Sequence, residues 1–207
     1  MFNMQLRHYI QALGAILPIF VSTANGQLSP WLVTGLQTWQ PSGRPGNSPD
    51  WYVHVNLTNP NPDQSVLDAN DTQSSVYCEV VWQYPNVPYN QIVNCEVAET
   101  ADSVLWAWTA ELLEATDPDP YPTTNFDLRW RASPIVLNQK DEYLQIWTGT
   151  AQFEVAKNMQ GTCAASGFCL WVLKPEDTPV SVEIDTVTCW GSLGEALHGI
   201  NCNEEAD

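Results

Sequence analysis

The sequence predicts an all-β chain, a single antiparallel β-barrel or sandwich stapled by disulfides, with one short helix at its C-terminus. Three observations carry this. Apolar and polar residues alternate with period two along most of the chain, the signature of half-buried antiparallel strands. Clusters of Pro, Gly, Asn and Asp end each run. Six cysteines follow a segment with the features of a secretory signal.

The N-terminal segment comes first. Arg7 and His8 precede an apolar run from Tyr9 to Val21, and small residues follow at Ser22, Thr23, Ala24 and Gly26. This is the charged, apolar and cleavage-site order of an export signal. A bilayer span needs roughly 20 apolar residues, and this run is shorter and broken by Gln11 and Pro18. Residues 1–26 are therefore read as a signal peptide cleaved after Ala24 or Gly26. Residues 27–190 are read as the β domain and 191–207 as a helical or disordered tail. The chain is expected to be secreted and extracellular, with no membrane association after cleavage.

The strands follow in order. One is expected at 31–37. In Trp51-Tyr52-Val53-His54-Val55-Asn56-Leu57 the odd residues are apolar and face a core, whereas Tyr52, His54 and Asn56 face out. Val76, Cys78, Val80 and Trp82 share the inner face of the next strand. A strand over 104–113 puts Trp106 and Trp108 on one face. Asn125–Ala132 is the cleanest case, with Phe126, Leu128, Trp130 and Ala132 inward and Asp127, Arg129 and Arg131 outward. Further strands are expected at 142–148, 150–156, 168–174 and 180–187. Trp147 is ambiguous, because Leu144 and Ile146 favour the other face of its strand. Turn clusters lie at 41–47, 59–63 and 117–122. Ser192, followed by Glu195 three residues on, marks a capped helix near 192–198.

An oxidising compartment makes the six cysteines disulfide partners. Three bridges can pair in fifteen ways. Proximity along the chain favours Cys78–Cys95, Cys163–Cys169 and Cys189–Cys202. The spacing of Cys163 and Cys169 is not that of a redox C-x-x-C, and zinc would need four clustered ligands. Neither a cofactor nor a metal is expected. Asn56-Leu57-Thr58 and Asn70-Asp71-Thr72 are glycosylation sequons, so Asn56 and Asn70 are candidate glycan carriers.

Charge narrows the partners. The chain has 24 acidic and 7 basic residues, a formal net charge of −17. Phosphate backbones require clustered Lys and Arg, so nucleic acid is excluded. No G-x-S-x-G elbow is present, and with all cysteines paired no thiol is free to act as a nucleophile. Glu79, Glu96, Glu111, Asp127, Glu154 and Glu183 fall on predicted strands and leave a two-carboxylate glycoside hydrolase as one alternative. The ten Trp leave a carbohydrate-binding or wall-associated module as another. Most Trp are expected in the core. Trp39, beside a Pro/Gly loop, and Trp190, after Cys189, are better placed for exposed contacts. Arg44 and Tyr121, in loops, complete the candidate binding set.

The order of these elements carries a resemblance. A leader precedes a strand at Trp31–Leu36, then "WYVHVNLTNPNP", "YCEVVWQ", Cys95, an aromatic strand at Val104–Leu112, "NFDLRWRA" and "GTCAASGFCLWVL". Over roughly residues 31–190 this resembles the Alternaria major-allergen-like family of small fungal secreted proteins. The resemblance implies a β-barrel of about ten strands with two local disulfides, matched by Cys78–Cys95 and Cys163–Cys169. It also implies a non-enzymatic effector or elicitor that binds a host extracellular protein or a small ligand. The chain departs from the pattern by lacking an early cysteine for a covalent dimer, which leaves a non-covalent homodimer open, and by adding Cys189 and Cys202.

Overall fold

The computed structural model describes residues 28–61, 74–98, 105–115, 121–135, 143–190 and 192–198. The signal segment, Asn70 and Cys202 lie outside the described residues. Twelve strands run in chain order: β1 Trp31–Gln40, β2 Asp50–Asn59, β3 Ser74–Gln83, β4 Ile92–Asn94, β5 Glu96–Val97, β6 Leu105–Glu114, β7 Asn125–Ile135, β8 Tyr143–Glu154, β9 Met159–Cys163, β10 Cys169–Leu173, β11 Val180–Val182 and β12 Asp185–Trp190. A 3-10 turn at Pro175–Asp177 separates β10 from β11, and a five-residue α-helix, α1 Leu193–Leu197, follows β12.

All ladders between strands are antiparallel and build two sheets. The larger has the order β5-β3-β2-β1-β10-β9, with β11 also paired to β1, and the smaller has the order β12-β8-β7-β6-β4. The expectation of an all-β fold holds, but a closed barrel of about ten strands does not. Among the described residues, the outer strands of the larger sheet, β5 and β9, do not pair with those of the smaller, β12 and β4; β1 is held inside its own sheet, with β11 taking Trp31–Val33 and β10 taking Gln37–Gln40. The chain passes between the two sheets five times, and two of these passages are tight corners. It passes from β4 to β5 through Cys95, whose N–H donates to the Trp108 carbonyl. It passes from β11 to β12 through Glu183 and Ile184. Segments that switch sheets form corners in such sandwiches.

The core lies between the sheets. The inward sets predicted for β2, β3 and β7 are all buried, and Trp31 meets Trp108 across the interface with ring centroids 4.7 Å apart. Trp147 belongs to this core, and Ile146 on the opposite face of β8 is buried as well. α1 packs against β6, β7 and β8. Its start is the predicted capping box: Ser192 N–H and Oγ donate to Glu195 Oε2 at 3.1 and 3.0 Å.

Three boundaries differ from the periodicity reading. The expected strands 142–148 and 150–156 are one strand, β8, running straight through Gly149. A Cβ at Gly149 would meet the Glu183 carbonyl and Val182 Cγ1 at 2.8 Å, so the glycine admits the corner after β11 and does not mark a turn. The expected strand 180–187 is two strands in different sheets. β4, β5 and β9 are too short or too uniformly exposed to alternate visibly. β9 is the outer edge of the larger sheet, and its residues Gln160–Cys163 are exposed.

Candidate functional site

The outer face of the larger sheet carries a continuous chain of aromatic rings. Tyr52 and His54 project from β2, Tyr77 from β3 and Trp39 from β1, each only partly buried. The register sets Trp39 opposite Tyr52, and His54 opposite Glu79. Such directly opposed side chains on a sheet lie in contact range. Phe168 stacks on Trp39 at 5.2 Å, Trp39 is parallel to Tyr52 at 6.1 Å, and Tyr52 stacks on His54 at 3.9 Å. The His54 ring meets Tyr77 edge-on at 5.7 Å.

Polar bonds hold the rings in place. Gln37 Nε2 donates to the Tyr52 hydroxyl at 2.9 Å, and His54 Nε2 lies 2.6 Å from Glu79 Oε1. Burial, and then the carboxylates of Glu79 and Glu96, push the Tyr77 hydroxyl above the ordinary phenol range. The β3 end of the row is therefore acidic.

The other end opens into a pocket of about 230 Å³ lined by Trp39, Pro41, Ser42, Asn47, Ser48 and Phe168. Two loops build it. In the β1–β2 loop, Asn47 Nδ2 donates to Ser42 Oγ at 2.8 Å. In the β9–β10 loop, Cys163 and Cys169 are joined, and Ala164 N–H donates to the Phe168 carbonyl at 2.8 Å. Gly167 takes φ +96 there, a conformation open to glycine, beside the Ser42 carbonyl. The staple thus presents Phe168, 36% exposed, against Trp39.

The predicted binding residues separate. Trp39 lines the pocket, and Arg44 is exposed on the pocket loop. Tyr121 is 49% exposed at the same end of the molecule, since Thr38 Oγ1 donates to the Thr123 carbonyl of its turn. Trp190 ends β12 opposite Tyr143, in the other sheet, and is not brought to the pocket. Asn56 is exposed on the ring-bearing face of β2. Cys78 and Cys95 are bonded, as their proximity suggested, whereas the Cys189 pairing with Cys202 falls outside the described residues. Sequence reasoning missed Phe168, Tyr52 and Tyr77. The alternation of β2 and β3 already placed the two tyrosines outward. Nothing in the sequence announced Phe168, which was hidden inside the staple.

Of the strand carboxylates, Glu79 and Glu96 both act on the Tyr77 hydroxyl. Glu79 is engaged by His54, and Glu154 Oε2 lies 2.6 Å from Lys157. Glu111, expected on a solvated face, is 6% exposed on the outer side of the smaller sheet, with Oε2 3.1 Å from Arg131 and 3.4 Å from Arg129. Asp127 sits two residues from Arg129 on β7, and burial raises its carboxyl above the usual range, partly offset by Lys157. Among the described residues, no group of three or more His, Cys, Asp and Glu is placed to hold a metal ion. Comparison with protein-family models, with curated proteins and with solved structures finds no match for this chain.

Proposed function

We propose that the chain is a secreted, non-enzymatic recognition protein that binds an extracellular partner through the ring-bearing face of its larger sheet. The observation that carries this reading is the pocket lined by the stacked pair Trp39 and Phe168 together with the β1–β2 loop, held by a disulfide-closed loop and continuous with a row of half-exposed rings. Binding anchors are enriched in aromatic residues seated in well-packed pockets. At about 230 Å³ the pocket is smaller than a drug-sized ligand site. It suits one side chain of a partner protein, or a comparably small molecule. The two disulfides are consistent with an extracellular protein, and no helix among the described residues is long and apolar enough to cross a membrane. The resemblance to the Alternaria major-allergen-like family points to the same class, an effector or elicitor that acts on a host.

A wall-binding role fits the geometry less well. Sugar stacking needs open ring faces, and here Phe168, Trp39, Tyr52 and His54 spend much of theirs on one another.

The test is affinity capture from host extracellular fluid with the oxidised protein, followed by mass spectrometry. Trp39→Ala and Phe168→Ala should each weaken capture of the same partner by at least about tenfold, with far-UV circular dichroism unchanged. Capture that survives both substitutions removes the reading. Retention on chitin, cellulose or glucan would replace it with the carbohydrate-binding alternative.

A further inference from the structure

Resting on that reading, we infer that the ring-bearing face takes an extended proline-containing segment in the polyproline II conformation, with a proline in the Trp39–Phe168 pocket and a basic residue against Glu79. The face itself limits what can lie on it. It is the flat side of a sheet, so a partner strand would find no ladder there; ladder bonds are made at edges. A helix is about 10–12 Å across with its side chains, and it needs a long apolar groove, which a pocket of about 230 Å³ does not supply. Polyproline II needs no inter-strand partner and leaves its carbonyls outward. It is the polypeptide form that aromatic-lined grooves take up, because it is already ordered before binding.

The lining matches that occupant. Trp39, Phe168 and Pro41 supply apolar walls for a pyrrolidine ring. The Ser42 hydroxyl, which accepts from Asn47, and the second amide proton of Asn47 can donate to the outward carbonyls, whereas the Ser48 hydroxyl already donates to Asp50. Charge then sets direction. Glu79 is exposed at the β3 end of the row, with Glu96 also acting on Tyr77, while Arg44 is exposed on the pocket loop. A cation on the segment is drawn to the β3 end and repelled from the pocket end. The chain as a whole carries −17, which also favours a basic partner.

Spacing follows from the fold. Trp39 pairs with Tyr52 and Tyr52 with Val81, so Glu79 lies two strand spacings across and two residues along the sheet from Trp39, about 12 Å. Polyproline II advances about 3.1 Å per residue, so the cation falls about four residues from the anchoring proline. The recognised pattern is Pro-x-x-x-Arg or Pro-x-x-x-Lys, in either chain direction.

Fluorescence anisotropy with the oxidised full chain and labelled twelve-residue peptides tests this. A peptide with Pro-x-x-x-Arg should bind saturably. Pro→Ala in the peptide should cost at least tenfold, and Arg→Gln about two- to fivefold. Glu79→Gln in the protein should erase the Arg preference and keep the Pro dependence, and Glu96→Gln should weaken that preference without disturbing His54. Trp39→Ala should abolish binding. Absence of saturable binding, or binding indifferent to Pro→Ala, overturns the inference. If a captured extracellular partner still depends on Trp39 while no proline peptide binds, the recognition reading stands and the polyproline assignment falls. If nothing depends on Trp39, both fall.

Discussion

Asp127 shows how much a single side chain can be at odds with its surroundings. Its Oδ1 is buried without a hydrogen-bond partner, and burial lifts its carboxyl above the usual range. A group with a raised folded-state pKa holds its proton more tightly in the native state. Its contribution is fully present below the unfolded carboxylate range and is lost as pH rises through the folded value. Asp127→Asn should therefore be more stable than the parent at pH 7, with the difference shrinking at pH 3. Calorimetric melting at the two pH values checks this, and a pH-independent difference would count against it. Glu195 runs the other way. Its hydrogen bonds from the Ser192 backbone and hydroxyl lower its pKa, so the cap is present above the carboxylate range and is lost on acidification. The Ser192–Glu195 spacing made the cap readable from sequence. The raised pKa of Asp127 was not readable, because alternation marks Asp127 and Glu111 only as outward and cannot say what covers an outward face.

At the scale of elements, period two located β2, β3 and β7 together with their inner faces. It failed where an element is shorter than its own repeat, as in β4 and β5. It failed again where a glycine has two meanings. Gly149 suggests a break between two strands, yet β8 passes through it because the corner after β11 presses on its Cα. Gly149→Ala should cost about 1–3 kcal/mol by overpacking against the Glu183 backbone and lower the melting temperature by several degrees. Gly35→Ala is the control. Its Cβ would meet only the movable Asn56 amide at 3.1 Å, and the loss should be smaller. Equal losses at both positions would show that the corner is not tightly packed. The aromatic row was half legible for a similar reason. Tyr52 and His54 follow from the alternation of β2, but their alignment with Trp39 and Glu79 depends on cross-strand register, which one strand alone does not encode.

For the whole molecule, the two cross-links have separable jobs. Cys78–Cys95 ties β3 to the corner between β4 and β5, and closes a loop with a sequence separation of 17. Cys163–Cys169, separated by 6, closes only the tip that carries Phe168. In the chain-entropy account these are worth about 3 and about 2 kcal/mol. Replacing Cys78 and Cys95 with Ala should lower thermal stability more and leave partner capture intact. Replacing Cys163 and Cys169 should cost less stability but loosen Phe168 and weaken capture. Loss of capture in the first variant at temperatures where it remains folded would contradict this division. The pairing was available from sequence separation alone. The sheet count was not, because closure depends on which strand takes each edge.

β9 adds a consequence for handling the molecule. Its five residues carry no charge and no proline, and among the described residues no strand pairs with its outer side. Strong mutual repulsion between acidic copies conceals that gap in dilute buffer. Concentrating the material in high salt removes the concealment, and gelation or fibre growth would begin from this strand.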